Sequence, residues 1–441
     1  MKASLANYNQ ARLIRRGGTI LLAPAVRRRR GRKSCLLLAA LVIADPILNQ
    51  ISTAYGFTVG SLSLLQLARG VVLITTLCMA VMLPPSRTRV RRLVLRITLA
   101  IGAGVTLIAL NDVLSYGFEI SNIIAYVQIA YWLTIWYLAV GVITDPQRAM
   151  IVANGLVIGA LITAASVFYG YLSGAAIESI YEAKGVEASA GWFVSAKGIA
   201  GSLVAGALLA AYQGYRRRPA VSVLLALFCM GASFLTYARS GLVALCVALT
   251  WLLIWSMGSR FNQRSSWAWR LLLTSFCGAI IIAASIGTAD LAARWADLSD
   301  PEKAGSGRLL LWAAGARGLV NGSLSEQLFG RGFQGMLDMV YASLGVAIHT
   351  HNDLLDMLVI GGVLGLIVLG LIFAGLVIQV RAAKPASPEF AVGVAILLVL
   401  GSQAFLTGQM FLPDVMTFYL LAITAVLAGA RQSGLASQAA T

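Results

Sequence analysis

Two histidines, His349 and His351, are all that this chain of 441 residues contains, and they stand one residue apart in His349-Thr350-His351-Asn352-Asp353. Histidine is the side chain whose ordinary pKa lies nearest neutrality, so placing the whole stock at one point offers a general base there. An apolar run over 354–374 follows directly. Two arginines invite the same attention: Arg239 in Thr236-Tyr237-Ala238-Arg239-Ser240-Gly241, and Arg308 in Gly305-Ser306-Gly307-Arg308-Leu309-Leu310-Leu311-Trp312. A guanidinium gives bidentate, charge-assisted hydrogen bonds to phosphate oxygens, so two of them suit a diphosphate. An imidazole beside them can take the proton of a hydroxyl nucleophile. Singly, each residue has a plainer reading: a snorkelling interfacial arginine, a solvated loop arginine, a capping histidine. Together they are the equipment for displacing a lipid diphosphate from the anomeric carbon of a sugar.

The elements that must position them are membrane helices. The chain is 59% hydrophobic and 12% charged, with a mean hydropathy of +0.82, too apolar for an ordinary soluble domain. Crossing a hydrocarbon core takes about 17–25 apolar residues. Such runs are marked out at 34–52, 62–83, 93–110, 120–143, 149–172, 194–212, 220–237, 240–257, 271–289, 352–379, 390–408 and 414–430. The expected fold is therefore all-α, a polytopic integral membrane protein with about 12 transmembrane helices. Asp45-Pro46 interrupts the first run and Arg69 the second, so either is expected to be broken or tilted.

The formal net charge of +17 falls in alternate loops, which is the positive-inside pattern. The tail over 1–33 holds ten Lys/Arg, including Arg27-Arg28-Arg29-Arg30. With twelve spans, 24 of the 34 basic residues fall in the cytoplasm, three within spans (Arg69, Arg96, Lys197) and seven outside. This predicts cytoplasmic N and C termini, with a basic tail (1–33), a single transmembrane domain (34–430) and a second short tail (431–441). We read the polybasic segment as topology-setting and attracted to anionic lipid rather than as a nucleic-acid site. The first apolar segment lacks a clear small-residue cleavage site and reads as an uncleaved signal anchor. Cys35, Cys78, Cys229, Cys246 and Cys277 all lie in expected spans, and no disulfide or metal-ligand spacing follows from them.

One loop is long. Residues 290–351, inserted between the ninth and tenth spans, are expected to form a large periplasmic segment with helical stretches over 289–298 and 307–320 and glycine-rich turns at 305–307 and 330–335. On this topology Arg239, Arg308 and His351 all reach one external mouth. A smaller external loop, 173–193, carries Glu178, Glu182, Glu187 and Lys184.

In these pieces the chain resembles the O-antigen ligase and Wzy-type polymerase superfamily of bacterial polysaccharide enzymes. Tyr237-Ala238-Arg239-Ser240-Gly241 stands for its S-R-S/G span start, and Ser306-Gly307-Arg308 with Trp312 for S-G-R-x₃-W. Gly330-Arg331-Gly332-Phe333 stands for G-x-G-F, and His351-Asn352-Asp353-Leu354-Leu355 with Gly361-Gly362-Val363-Leu364-Gly365 for H-N-x₂-L…G-x₂-G. The likeness covers roughly 190–430. It implies a metal-free, inverting transfer, related to the GT-C glycosyltransferases, on undecaprenyl-diphosphate-linked glycans in the outer leaflet. No cofactor is expected, and the chain has no Asp-x-Asp to hold a divalent cation.

By that resemblance His351 would be the catalytic base or acceptor-orienting residue, while Arg239 and Arg308 would hold the diphosphate. His349 competes for the role of base; His351 is favoured because Asn352 and Leu355 follow it in the family register. Lys197, in Gly191-Trp192-Phe193…Lys197-Gly198-Ile199-Ala200-Gly201, is a third diphosphate candidate. That segment departs from the pattern seen in some members, G-x-F-x-x-K-N-x₂-G, by one extra residue and by Gly198 where Asn is expected. Asn352, Asp356 and Arg331 are candidate supporting residues, and Arg69 a weaker one.

The expected activity is polymerisation of undecaprenyl-diphosphate-linked repeat units into exopolysaccharide, capsule or O-antigen on the periplasmic face of a bacterial inner membrane. The alternative is a ligase that moves finished polymer onto lipid A–core or another acceptor. Donor glycan, acceptor glycan and bilayer are the implied partners, with a chain-length regulator and a flippase of the same pathway beside them. A lipid-linked sugar flippase or transporter would be expected to show two related halves and midplane charges, and a scaffold would be indifferent to loss of His351.

Overall fold

The computed structural model describes residues 14–16, 19–21, 24–55, 58–59, 62–82, 88–174, 196–217, 219–236, 238–258, 308–345 and 347–429. Helices dominate them: α1 (Pro24–Tyr55), α2 (Leu64–Val81), α3 (Arg89–Tyr116), α4 (Ile120–Val142), α5 (Pro146–Ser173), α6 (Ala196–Arg217), α7 (Pro219–Leu235) and α8 (Arg239–Gly258), then α9 (Arg308–Val320), α10 (Leu324–Phe329), α11 (Gly332–Leu344), α12 (Asp353–Arg381), α13 (Pro388–Leu406) and α14 (Pro413–Gly429). Two antiparallel ladders, of three and two residues per strand, join β1 (Ile14–Arg16) to β2 (Thr19–Leu21) and β3 (Thr58–Val59) to β4 (Leu62–Ser63).

Every expected span except the ninth overlies a helix; 271–289 lies outside the described residues, as do the loop at 175–195 and the first part of the long loop, 290–307. Six described helices are long and apolar enough to cross a membrane: 89–116, 122–142, 146–173, 239–257, 353–381 and 388–406. Shorter apolar helices at 65–81, 198–213, 220–235 and 413–428 accompany them. The chain is thus a multi-pass membrane protein.

Local sequence explains where the helices start. Asp145 and Ser387 cap α5 and α13 with Pro146 and Pro388 in the first turn, where a proline loses no hydrogen bond. Ser63 with Gln66, and Ser323 with Glu326, form reciprocal capping boxes on α2 and α10. Asp45-Pro46 does not end its helix, because α1 runs through Pro46 to Tyr55. Arg69 on α2 is tolerated in the bundle because Asp45, at 3.3 Å, and Asp414, at 3.7 Å, meet its guanidinium.

Between 308 and 351 the structure differs from the sequence reading in detail. The helix expected over 307–320 is α9, but the glycines of 330–335 make a turn only at Gly330–Arg331, and α11 starts at Gly332. The short helices α9, α10 and α11 all pack on α12, and α11 also packs on α3.

Helix α12 is broken where they dock. Gly362 has φ 57° and ψ −144° within an otherwise helical run, a conformation open chiefly to glycine. Its missing Cβ leaves room for the backbone at Gln327, Leu328 and Gly330. The Val359 carbonyl at the break accepts a hydrogen bond of 2.8 Å from the Arg331 N–H, so the loop supplies a donor at the helix break. On the opposite flank Gly332, φ 74°, takes the place a side chain would contest with Asp112 of α3. Asp112 then accepts from the Phe333 N–H at 3.0 Å and from the Tyr126 hydroxyl of α4 at 2.9 Å. The G-x-G-F and G-G segments are two halves of one joint.

Candidate functional site

The joint fixes the start of α12, and the histidines stand immediately before it. Asn352 caps the helix, its side-chain oxygen accepting from the Leu355 N–H at 3.1 Å. Asp353 and Asp356 lie in the first turn, where the helix dipole favours negative charge, and each is buried. A buried carboxylate requires donors. Asp353 accepts from the backbone N–H groups of Gln409, at 2.8 and 2.9 Å to its two oxygens, and Met410, at 3.1 Å, which ties down the α13–α14 turn. Asp356 accepts from the Thr350 N–H and hydroxyl, both at 2.7 Å, and its second oxygen lies 3.1 Å from His349 Nδ1.

Residues 349–351 are therefore stapled to α12 from below and to α9 from the side. Trp312 donates its indole N–H to the Thr350 carbonyl at 3.2 Å and packs on Phe405 with ring centroids 5.5 Å apart. The stapling forces His351 to φ 58°, and among the described residues it alone of the non-glycines has a positive φ. Such a conformation costs about 1–3 kcal/mol and persists only where the surroundings impose it, most often at functional sites. The two imidazoles pack edge to face, centroids 4.1 Å apart, with Phe411 6.1 Å from His349. Burial by itself favours neutral His349, but the hydrogen bond and charge of Asp356, with Asp353 behind it, outweigh this and raise its pKa; Arg308 opposes them.

The structure thus brings together His349, His351, Asn352, Asp356, Trp312 and Arg308. Arg308 opens α9 and is close enough for its charge to act on His349. Arg331 pairs with Glu326 at 3.4 Å, and its backbone holds the helix break. Glu326 is lowered in pKa chiefly by the Ser323 N–H, against burial, with smaller help from the Ser323 hydroxyl and Arg331. Arg239, half-buried, opens α8. Lys197 stands in the first turn of α6. The next turn of α6 meets the far end of α13 and the middle of α14: Gly201 packs against Gln403 and Tyr419, and Gly241 of α8 against Ala200. Gln403 in turn receives the Thr407 hydroxyl at the start of the turn that Asp353 holds. Arg239 and Lys197 belong to helices packed on the histidine edge through α13, while Arg69 belongs to its own carboxylate cluster.

Sequence reasoning did not find Asp112, Tyr126 or Gln409. An aspartate one turn from the end of α3 and a tyrosine nearly two turns into α4 were the available signals. Among the described residues no three His, Cys, Asp or Glu side chains converge as a metal-binding group.

Arginine, tryptophan, glycine joint, histidine and asparagine occur here in one order along the chain, and Arg308, Trp312, the histidines and Asn352 stand together before α12. Residues 222–370 match the O-antigen ligase family, Wzy_C. Over this stretch the chain is similar to the O-antigen ligase family. The matched stretch contains Arg239-Ser240-Gly241, Arg308 with Trp312, the Gly330–Phe333 segment, the histidines and Gly361–Gly365, so the superfamily resemblance holds over the motifs that carried it. Lys197, α13 and α14 lie beyond it. No curated protein matches the chain.

Proposed function

We propose that this chain is a polysaccharide polymerase of the O-antigen ligase type, extending a glycan carried on undecaprenyl diphosphate by transfer to a hydroxyl of an incoming repeat unit. The observation that carries the reading is the docking of the Arg308–Trp312 turn on the histidine segment, which sets a guanidinium and two imidazoles together at the end of an apolar helix. Inverting transfer needs three things there: a hold on the departing diphosphate, a group that meets the acceptor hydroxyl, and room for the lipid. In this reading Arg239, Arg308 and Lys197 hold the diphosphate through charge-assisted hydrogen bonds, and the negative charge that develops on the leaving group is balanced by these cations. His351 meets the acceptor hydroxyl. Asn352 and Asp356 support it, and Arg331 contributes by holding the helix break.

An apolar groove of about 620 Å³ between α2, α3 and α4 suits the isoprenoid chain. Tyr126 on its wall is hydrogen-bonded to Asp112, the residue that holds the Phe333 joint. In this reading about twelve helices cross the inner membrane with both termini cytoplasmic, the histidine edge faces the periplasm, and no metal takes part.

The ligase reading uses the same residues on a different acceptor. Both are tested by reconstituting the purified protein with a short undecaprenyl-diphosphate-linked oligosaccharide, with and without EDTA, and resolving products by size. A metal-independent ladder from donor alone is the expected result. A single transfer that occurs only when a lipid A–core acceptor is added would replace polymerase with ligase, and no transfer under either condition would overturn the reading.

A further inference from the structure

His351 occupies the family register, but the neighbour two residues before it is the imidazole built like a base. His349 Nδ1 lies 3.1 Å from Asp356 Oδ2, and Asp356 is itself immobilised by two 2.7 Å hydrogen bonds from Thr350. Asp356 is fully buried, whereas the His349 side chain keeps 28% of its surface exposed. The carboxylate 3.1 Å from Nδ1, closer than the His351 N–H that also approaches this atom at 3.3 Å, favours the tautomer with the proton on Nδ1 and leaves the lone pair on Nε2.

We infer that His349, oriented by Asp356, is the group that removes the acceptor's proton, while His351 orients the acceptor hydroxyl. This rests on the glycosyl-transfer reading above and deepens it. As the acceptor oxygen forms its bond to the anomeric carbon and the carbon–oxygen bond to the diphosphate breaks, the hydroxyl proton passes to His349 Nε2. The electron pair leaves with the diphosphate. Asp356 remains ionised and balances the imidazolium.

The charged groups acting on His349 are Asp356 and Asp353 from α12 and Arg308 from α9, with the His351 ring against it. Among these charges Arg308 alone opposes protonation, on top of burial, and a diphosphate bound to Arg308 would cancel its part of that opposition. Donor binding therefore makes His349 more basic, so the base is strongest when there is a glycan to transfer.

Because the chain has two histidines, ¹⁵N-histidine NMR of the full protein in nanodiscs, purified without a histidine tag, shows two imidazoles, assigned with His351→Gln. The expected result is one ring in the Nδ1–H form titrating above the ordinary imidazole value, returning toward it in Asp356→Asn. In the kinetics, His349→Gln should lower kcat by about 10²–10⁴-fold and abolish the acid limb of the pH profile. Asp356→Asn should lower kcat with little change in donor KM and move that limb to lower pH. His351→Gln should keep the limb and raise the acceptor KM. Two rings with ordinary titration that ignore Asp356→Asn, in an enzyme that still makes product, would overturn the dyad and leave the transfer reading standing. So would an acid limb that survives His349→Gln and vanishes in His351→Gln. A dyad seen by NMR in a protein that makes no product would overturn the transfer reading and the base assignment together.

Discussion

Arg69 stands between two carboxylates, Asp45 and Asp414, whose acceptor oxygens face it at 3.3 and 3.7 Å. Beside α12 the order is reversed: two buried carboxylates face inward to the backbone and hydroxyl donors of 350, 409 and 410, and the imidazole and guanidinium stand in front of them. Both clusters bury ionisable groups at the cost this entails. In the first, carboxylates compensate a cation that ties α1, α2 and α14 together. In the second, they position an imidazole, with Arg308 acting on it, for a charge that the chain does not itself supply. The difference separates ion pairs that hold a bundle from those that prepare a site.

The comparison is broken most severely at the histidine edge. His349→Ala should lower turnover by about 10²–10⁴-fold. His351→Gly should raise the acceptor KM while melting no earlier than the native protein, since glycine relieves the left-handed backbone. A stable, active glycine variant would show that the strain serves no function.

Arg69→Met should do the opposite. Leaving two buried carboxylates without their cation destabilises by about 3–5 kcal/mol, visible as a lower melting temperature in detergent, whereas the protein that stays folded keeps its turnover number. A selective loss of kcat would move Arg69 into the site.

Arg308→Lys retains charge but loses the planar fork. Hydrogen bonds to charged groups contribute about 1.5–3 kcal/mol, so kcat/KM for the donor should fall about 10–100-fold; wild-type kinetics would return Arg308 to the status of a loop residue.

The smallest effect concerns pH. His349 has a raised pKa in the fold, so its interaction with Asp356 stabilises fully below the unfolded value of about 6.5 and is lost as pH rises through the folded value. Melting temperature should decline modestly across that interval, and Asp356→Asn should flatten the decline.

The helices were legible because spans must be long and apolar, and the matched motifs because their residues lie within a few positions of one another. The ladder of partners behind them was not. Phe333 meets Asp112 and Asp353 meets Gln409 across long stretches of chain, and nothing local in sequence marks such pairs. The Gly361-Gly362 pair was read as motif, yet its physical content is the helix break that admits Gly330. His349 and His351 were equally visible; the carboxylate seven residues on that distinguishes them became informative only when α12 turned it toward one ring. Residues 271–307 lie outside the described structure, and the ninth span and the Gly305 turn with them.

The most direct measurement is single-turnover release of undecaprenyl diphosphate from a short lipid-linked oligosaccharide by the native protein and by His349→Ala, each reconstituted in vesicles with acceptor present. Release coupled one-to-one to glycan elongation, and slowed about 10²–10⁴-fold by the substitution, is the predicted result. Equal release by the two proteins would contradict the claim that the histidine edge performs the transfer.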